Sequence, residues 1–209
     1  MKAILCLLTA LTITISANTL RADSVLPGHE KVASALKELE KNTGYVQERL
    51  GNTLTSLGSL QGGGDLKSPY GDFSRNLEKL QSLSATVDKN SEQLNEALTA
   101  NYSSWQAQID QIQDSSLKSI SAKRLADEQK KFATLAKNIK AAQTQLAPVI
   151  KQLSDINGVL KADLTAAGVK SLEKPLQKAS KDGNAVLATY DKLKQDFQQA
   201  RQSISSTAN

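Results

Sequence analysis

The stretch that decides the fold, residues 121–163, reads SAKRLADEQKKFATLAKNIKAAQTQLAPVIKQLSDINGVLKAD. One set of apolar residues in it recurs every seven positions: Leu125, Phe132, Ile139, Leu146, Leu153 and Leu160. A second set stands three residues after four of these: Leu135, Ala142, Val149 and Ile156. This heptad pattern is typical of a long helix that packs a narrow apolar stripe against neighbouring helices.

Pro148 lies inside this heptad pattern. Proline lacks the N–H that would bond the carbonyl of Thr144, and its ring crowds that turn. The apolar phase nevertheless continues unchanged from Leu146 to Val149 and Leu153. We therefore predict one helix over residues 121–162 that continues through Pro148 with a bend.

Three further stretches show apolar residues at alternating steps of three and four, which predicts helices over residues 29–58, 69–113 and 165–205. Ser68 and Thr165 are the expected N-caps, and Pro175 predicts either a kink in the last helix or a short first turn before it. Gly183 lies on an apolar stripe and predicts a close approach of another helix. We also expect Gly44 and Gly51 to admit a close neighbour.

Together these helices predict an all-α fold, an elongated antiparallel bundle of about four long helices with coiled-coil-like packing. Residues 23–209 show no second shift in composition and are expected to form a single domain. The longer helices would reach about 65 Å at the usual rise per residue. Self-association by end or side packing is compatible with this architecture.

The chain begins MKAILCLLTALTITISANTLRA, which has the charged start, apolar run and small-residue end of a secretory signal. We expect cleavage after Ala22, with Ala17 as the other acceptable position, and an uncleaved anchor is the rival interpretation. Cys6 is the only cysteine, so the mature chain would contain no thiol. The expected localisation is the periplasm or the exterior.

Charge and composition argue against a nucleic-acid partner. Removing residues 1–22 takes away Lys2 and Arg21 and no acid, so the net charge falls from +5 to +3. The remaining excess is too small for a nucleic-acid footprint. Basic side chains outnumber acidic ones over residues 123–140, and a solvated helix face or a site for an anionic surface would both account for them.

Little side-chain chemistry is available for catalysis. His29 is the only histidine, and we expect it to be partly exposed at the edge of the first helix. A metal site would need further His or Cys ligands, and a nucleophile would need a base beside it. We therefore predict no enzyme activity and no catalytic, cofactor-binding or metal-binding residues. Trp105, the only tryptophan, is expected to anchor the core near one end of the bundle.

The segment from Pro148 to Asp155, followed by Leu160-Lys161, Leu164, Ala166 and Ser171-Leu172, resembles a bacterial family catalogued as domain of unknown function 2959. A weaker match extends upstream to Trp105, Ser116-Leu117, Ser121 and His29. Where that family has a His-Asn pair before the turn, this chain has Ala162-Asp163. The family's Lys-Arg after the first histidine is Glu30-Lys31 here. The resemblance implies an exported helical protein of a Gram-negative bacterium and no particular activity.

Two functional interpretations follow. The first is a periplasmic structural or protein-binding module that uses a face or end of the bundle to bind an envelope protein. The second is a membrane-surface protein with lipid-binding amphipathic helices, which the narrow apolar stripes and few aromatic residues disfavour. Neither interpretation involves a cofactor or a small-molecule substrate.

Overall fold

The computed structural model describes residues 27–62 and 64–205, and these contain helices and no strand. The long helices are α1 (Pro27–Ser59), α2 (Lys67–Asp110), α3 (Ser115–Ala162) and α5 (Glu173–Ser205). A 3-10 turn (Leu60–Gly62) follows α1, and a six-residue helix α4 (Ala166–Ser171) precedes α5. The expected all-α bundle is confirmed. The predicted signal sequence, residues 1–22, lies outside the described residues.

Each long helix packs antiparallel against two neighbours, so that α1 and α3 lie diagonally across the bundle. Asn42 Nδ2 on α1 donates to Asn90 Oδ1 on α2 at 2.8 Å. Gln47 Nε2 donates to Asp191 Oδ1 on α5 at 2.7 Å. The apolar stripes of all four helices meet in one continuous core along the axis.

The heptad residues predicted from α3 form its buried face. All ten, from Leu125 to Leu160, are buried. The helix continues without a break through Pro148, as the uninterrupted phase predicted. Pro148 is exposed, while Val149 beside it is buried against the bundle. The bend at Pro148 stays a prediction.

The predicted start of α3 was wrong by six residues. The helix begins at Ser115, because the side chain of Asp114 caps it by accepting a hydrogen bond from the backbone N–H of Leu117 at 2.9 Å. Ser121, where the predicted helix began, lies well inside the helix. Leu117 and Ile120 add nothing to the apolar stripe, so the sequence pattern begins later than the helix does.

Two other predicted boundaries also differ from the structure. Helix α2 begins at Lys67, whose N–H donates to Asp65 Oδ1 at 3.0 Å, so Ser68 is not its cap. The last helix is divided in two: Thr165 caps α4 as predicted, and α5 starts at Glu173. Pro175 therefore lies in the first turn of α5, where the missing N–H costs little.

Of the two predictions for glycine residues, the structure confirms one and contradicts the other. A Cβ atom on Gly183 would lie 2.7 Å from Leu54 Cδ1, so α5 approaches α1 closely there, as expected. Gly44 and Gly51 have no atom within 4 Å of such a Cβ, and that expectation was wrong.

The second and third helices along the chain, α2 and α3, are longer than α1 and α5. Helices α2 and α3 have 44 and 48 residues, whereas α1 and α5 have 33 each. At 1.5 Å per residue the difference is about 16 to 22 Å. Because all four helices end together near the loops at residues 60–66 and 163–172, the excess length projects from the opposite end.

Candidate functional site

The projecting part consists of residues 102–127, which we call the distal hairpin. Gly28 on α1 lies against Asn101, since a Cβ on this glycine would be 2.5 Å from Asn101 Oδ1. On the other side, Asn138 bonds Asp196 and Gln145 bonds Thr189. That register places Ser205 about level with Gln129. The described parts of α1 and α5 therefore end where the distal hairpin begins.

A small separate core holds the distal hairpin together. It contains Trp105 and Ile109 of α2 and Leu125 of α3, with Tyr102 packed against them. Trp105 Nε1 donates to Ser121 Oγ at 3.2 Å and so ties α2 to α3. Trp105 is 7% exposed, which confirms its expected role as an anchor near one end of the bundle.

Polar side chains are buried where the distal hairpin meets the rest of the bundle, in which all four long helices lie side by side and which we call the four-helix part. We call this set the junction: His29, Asn101, Tyr102, Trp105 and Glu128. His29, Asn101 and Glu128 are each at most 4% exposed. Four atoms of the junction have no hydrogen-bond partner among the described residues: His29 Nε2, Asn101 Nδ2, Tyr102 Oη and Glu128 Oε1. Unpaired buried groups of this kind cost stability and are rare in folded proteins.

His29 is buried, and the expectation that it would be partly exposed was wrong. Its ring meets the Trp105 ring edge to face, with centroids 6.0 Å apart. Burial lowers the pKa of His29, and the nearby positive charge of Arg124 lowers it further. The imidazole is therefore held in its neutral form. The signal that sequence reasoning missed is the length of α2, which carries Trp105 past the end of α1.

Glu128 is the buried acid of the junction. Burial raises the pKa of its carboxyl group, and the positive charges of Lys131 and Arg124 act in the opposite direction. Tyr102 also has a raised pKa, first because it is buried and second because of the charge on Glu128. Burial thus shifts the pKa of all three titratable groups in the direction of the neutral form.

The outer end of the distal hairpin exposes two large apolar side chains. Leu117 is 59% exposed and Ile120 is 56% exposed, while Val159 and Tyr45 are the exposed large apolar residues elsewhere in the described ranges. Basic side chains flank the pair, including exposed Lys123 and Arg124. An apolar pair beside exposed cations is a surface that a complementary partner can desolvate.

No group of three or more His, Cys, Asp or Glu side chains is placed to hold a metal ion in the described ranges. No described helix is long and apolar enough to cross a membrane. One concavity, of about 440 Å³, lies at the loop end of the bundle between Leu60 and Val169. Another, of about 610 Å³, lies beside Pro148 and is bordered by the ion pairs Lys151–Asp155 and Lys178–Asp182, whose charges already satisfy one another.

The fold thus defines a helical-bundle protein with a two-helix projection and a buried polar junction at its base. Residues 23–207 match the model of a protein family described as a protein of unknown function, DUF2959, and the chain belongs to that family. No curated protein and no solved structure shows significant similarity to the chain. The structure brings three residues of the weaker resemblance, His29, Trp105 and Ser121, together around the junction.

Proposed function

We propose that the chain is an exported, non-enzymatic protein of the bacterial envelope that binds another protein through its distal hairpin. The observation that carries this proposal is the exposure of Leu117 and Ile120 on a projection beyond the ends of α1 and α5. Apolar side chains in such a position gain free energy only when another molecule covers them, by about 25 cal/mol for each Å² of apolar surface removed from water.

The shape of the molecule supports the same proposal. A rigid bundle can present a projecting hairpin at a distance from its own surface, and the Trp105–Ser121 bond holds the two helices of the projection in register. Side chains fixed on helices lose less conformational entropy on binding than side chains on a mobile loop. The four-helix part would then act as the support for this projection, and the ion pairs on its surface would face water.

Export to the periplasm is supported by the signal-like residues 1–22. Their removal would leave a mature chain that starts four residues before Pro27 and contains no cysteine. Such a chain suits an oxidising compartment, because it has no thiol that could form a wrong disulfide.

The test compares two apolar-to-polar variants of the full chain after chemical cross-linking in living cells. Leu117→Ser/Ile120→Ser alters the distal hairpin, and Val159→Ser alters an exposed apolar residue near the opposite end. We expect purification of the wild type and of Val159→Ser to recover the same identified envelope protein, and Leu117→Ser/Ile120→Ser to lose it. Equal recovery from all three proteins would contradict the proposal.

Lipid binding is tested separately by co-sedimentation with vesicles that contain an anionic phospholipid, at low ionic strength. We expect the purified mature protein to remain in the supernatant. Sedimentation that depends on Leu117 and Ile120 would show that the distal hairpin binds a membrane surface and would contradict the proposed protein partner.

A further inference from the structure

The α5 side of α3 continues into the distal hairpin, where no helix of residues 27–62 and 64–205 covers it. Residues 117, 124, 131, 138, 145 and 152 are spaced seven apart and form one row along α3, which we call the α5-facing row. In the four-helix part this row bonds α5: Asn138 Nδ2 donates to Asp196 Oδ2 at 2.8 Å, and Gln145 Oε1 accepts from Thr189 Oγ1 at 2.8 Å. Ser205 of α5 is about level with Gln129, so Arg124 and Leu117 lie beyond it.

We infer that the partner binds as an amphipathic helix with acidic side chains, lying antiparallel to α3 along the distal end of the α5-facing row. This inference rests on the proposed function and names the chemistry of its partner. The partner helix would continue the line of α5 and pack on α3 in the way that α5 does. Ile120 belongs to the adjoining row on the same side, together with Pro148 at the α5 groove, so both exposed apolar residues face the proposed helix.

The positive charges along the α5-facing row are the reason for proposing that the partner helix is acidic. Arg124 and Lys131 are exposed and form no ion pair in residues 27–62 and 64–205. Lys123 and Lys130 are also exposed on this helix, and Asp127, seven residues after Ile120, is the exposed acid of the adjoining row. Within the four-helix part, α5 itself offers the carboxylate of Asp196 to this row. A partner carboxylate opposite Arg124 would form a charge-assisted pair in the same geometry.

The length of the row favours a helix over other partners. Beyond Ser205, the row extends from Leu117 to the level of Gln129, about 18 Å along the axis, which matches about three turns of a partner helix. Lys131 is level with Ser203 of α5 and stands at the inner end of this uncovered length. A flat membrane at the outer end would contact Leu117 and Ile120 but would leave Lys131 far from its surface. A second copy of α3 laid antiparallel on the row would place Arg124 and Lys131 against the same cations, and like charges repel.

The experiment places a photo-reactive p-benzoylphenylalanine at Leu117 of the full chain, and at Ile120 in a second version, in living cells. Mass spectrometry then maps the cross-linked residue. We expect the adduct to fall in a helical segment of another protein that carries Asp or Glu about one heptad from the cross-linked residue. Arg124→Glu should lower the adduct yield by about tenfold, because it sets a negative charge against the partner's acid. Changing that acid to Lys should restore the yield in the Arg124→Glu background.

Two control variants guard against effects on folding. Lys140→Glu makes the same charge change on the α2 side of α3 and should leave the yield unchanged. Arg124→Gln removes the cation without adding a negative charge near Glu128, and it should lower the yield by about threefold, consistent with loss of one charge pair. Thermal unfolding checks that each variant is folded.

The outcomes separate the inference from the proposed function. An adduct to a phospholipid, to a second copy of the chain or to a segment without acids would overturn the inference, and so would an unchanged yield from Arg124→Glu. A complete lack of light-dependent adducts at both Leu117 and Ile120 would instead overturn the proposed function.

Discussion

His29 and Trp105 meet edge to face with their ring centroids 6.0 Å apart, and this contact joins the start of α1 to the base of the distal hairpin. A neutral imidazole packs in this place, whereas a charged one would be buried beside the positive charge of Arg124. The pKa of His29 is therefore lower in the folded chain than its value of about 6.5 in the unfolded chain.

This contact predicts a pH dependence of stability. As the pH falls from 7.5 to 5.5, the unfolded state takes up a proton on His29 more readily than the folded state does, so the free energy of unfolding decreases. Glu128 acts in the opposite direction: its raised pKa means that the folded state binds a proton first as the pH falls towards its unfolded value. Urea unfolding monitored by Trp105 fluorescence measures the sum of the two contributions to the free energy of unfolding.

The two contributions are separated by substitution. In Glu128→Gln the decrease towards pH 5.5 should become steeper, and in His29→Gln it should disappear or reverse. His29→Gln should also lower stability at pH 7.5 by about 0.5 to 1.5 kcal/mol through loss of the aromatic contact. A pH profile of His29→Gln identical to that of the wild type would show that this imidazole is not buried.

Tyr190 connects three helices through one hydrogen-bond network. Its hydroxyl donates to Gln143 Oε1 at 2.7 Å, and Gln143 Nε2 donates to the Ser84 carbonyl at 2.9 Å and to Asp88 Oδ1 at 3.0 Å. Tyr190→Phe should cost about 1 kcal/mol, and Gln143→Leu about 1 to 3 kcal/mol because it leaves the Tyr190 hydroxyl unpaired. Chemical denaturation of both single variants and the double variant checks this, and strictly additive losses would show that the two side chains do not interact.

Gly183 is expected to resist substitution. Its added Cβ would lie 2.7 and 2.8 Å from the two Cδ atoms of Leu54. Displacing the Leu54 side chain costs about 1 to 3 kcal/mol and the helix propensity of alanine returns about 1 kcal/mol, so Gly183→Ala should lower the free energy of unfolding by up to about 2 kcal/mol. Gly44→Ala is the matched control, because that site is open and helical, and it should raise stability by up to about 1 kcal/mol. Thermal unfolding of the two variants compares them directly, and a stabilising Gly183→Ala would contradict the close packing of α5 on α1.

Processing of the chain has a simple chemical signature. If export removes residues 1–22, the mature protein starts at Asp23, has no thiol and does not react with a maleimide. Intact mass spectrometry of the protein from the periplasmic fraction distinguishes this start from Asn18, which cleavage after Ala17 would give. A mature protein that retains Cys6 and labels with maleimide would favour an uncleaved anchor.

Much of the fold could be predicted from the sequence because heptads are local. The ten apolar positions from Leu125 to Leu160 are all buried, and the intact phase across Pro148 correctly indicated one continuous helix. The first six residues of α3 escaped prediction because Leu117 and Ile120 are exposed and do not extend the stripe. A cap such as Asp114 can start a helix before its apolar pattern begins.

The candidate site depends on how the helices align with one another, and this alignment involves residues that are far apart in the sequence. His29 is buried by Trp105, a residue of a different helix, so its position at the edge of α1 gave no sign of burial. The predicted lengths of about 30 residues for the first helix and 45 for the second did contain a signal, since unequal antiparallel helices must leave a projection. What the length difference could not show is which side chains the projection exposes.

Binding through the distal hairpin is tested most directly by comparing photo-cross-linking from the large exposed apolar positions of the described ranges. Separate full-length chains would carry p-benzoylphenylalanine at Tyr45, Leu117, Ile120 or Val159, the exposed large apolar residues of the described ranges. Each would be irradiated in cells and its yield of adduct to other proteins measured. We expect strong adducts to one protein from positions 117 and 120 and background yields from 45 and 159. Equal yields at all four positions, or a maximum at 45 or 159, would contradict binding through the distal hairpin.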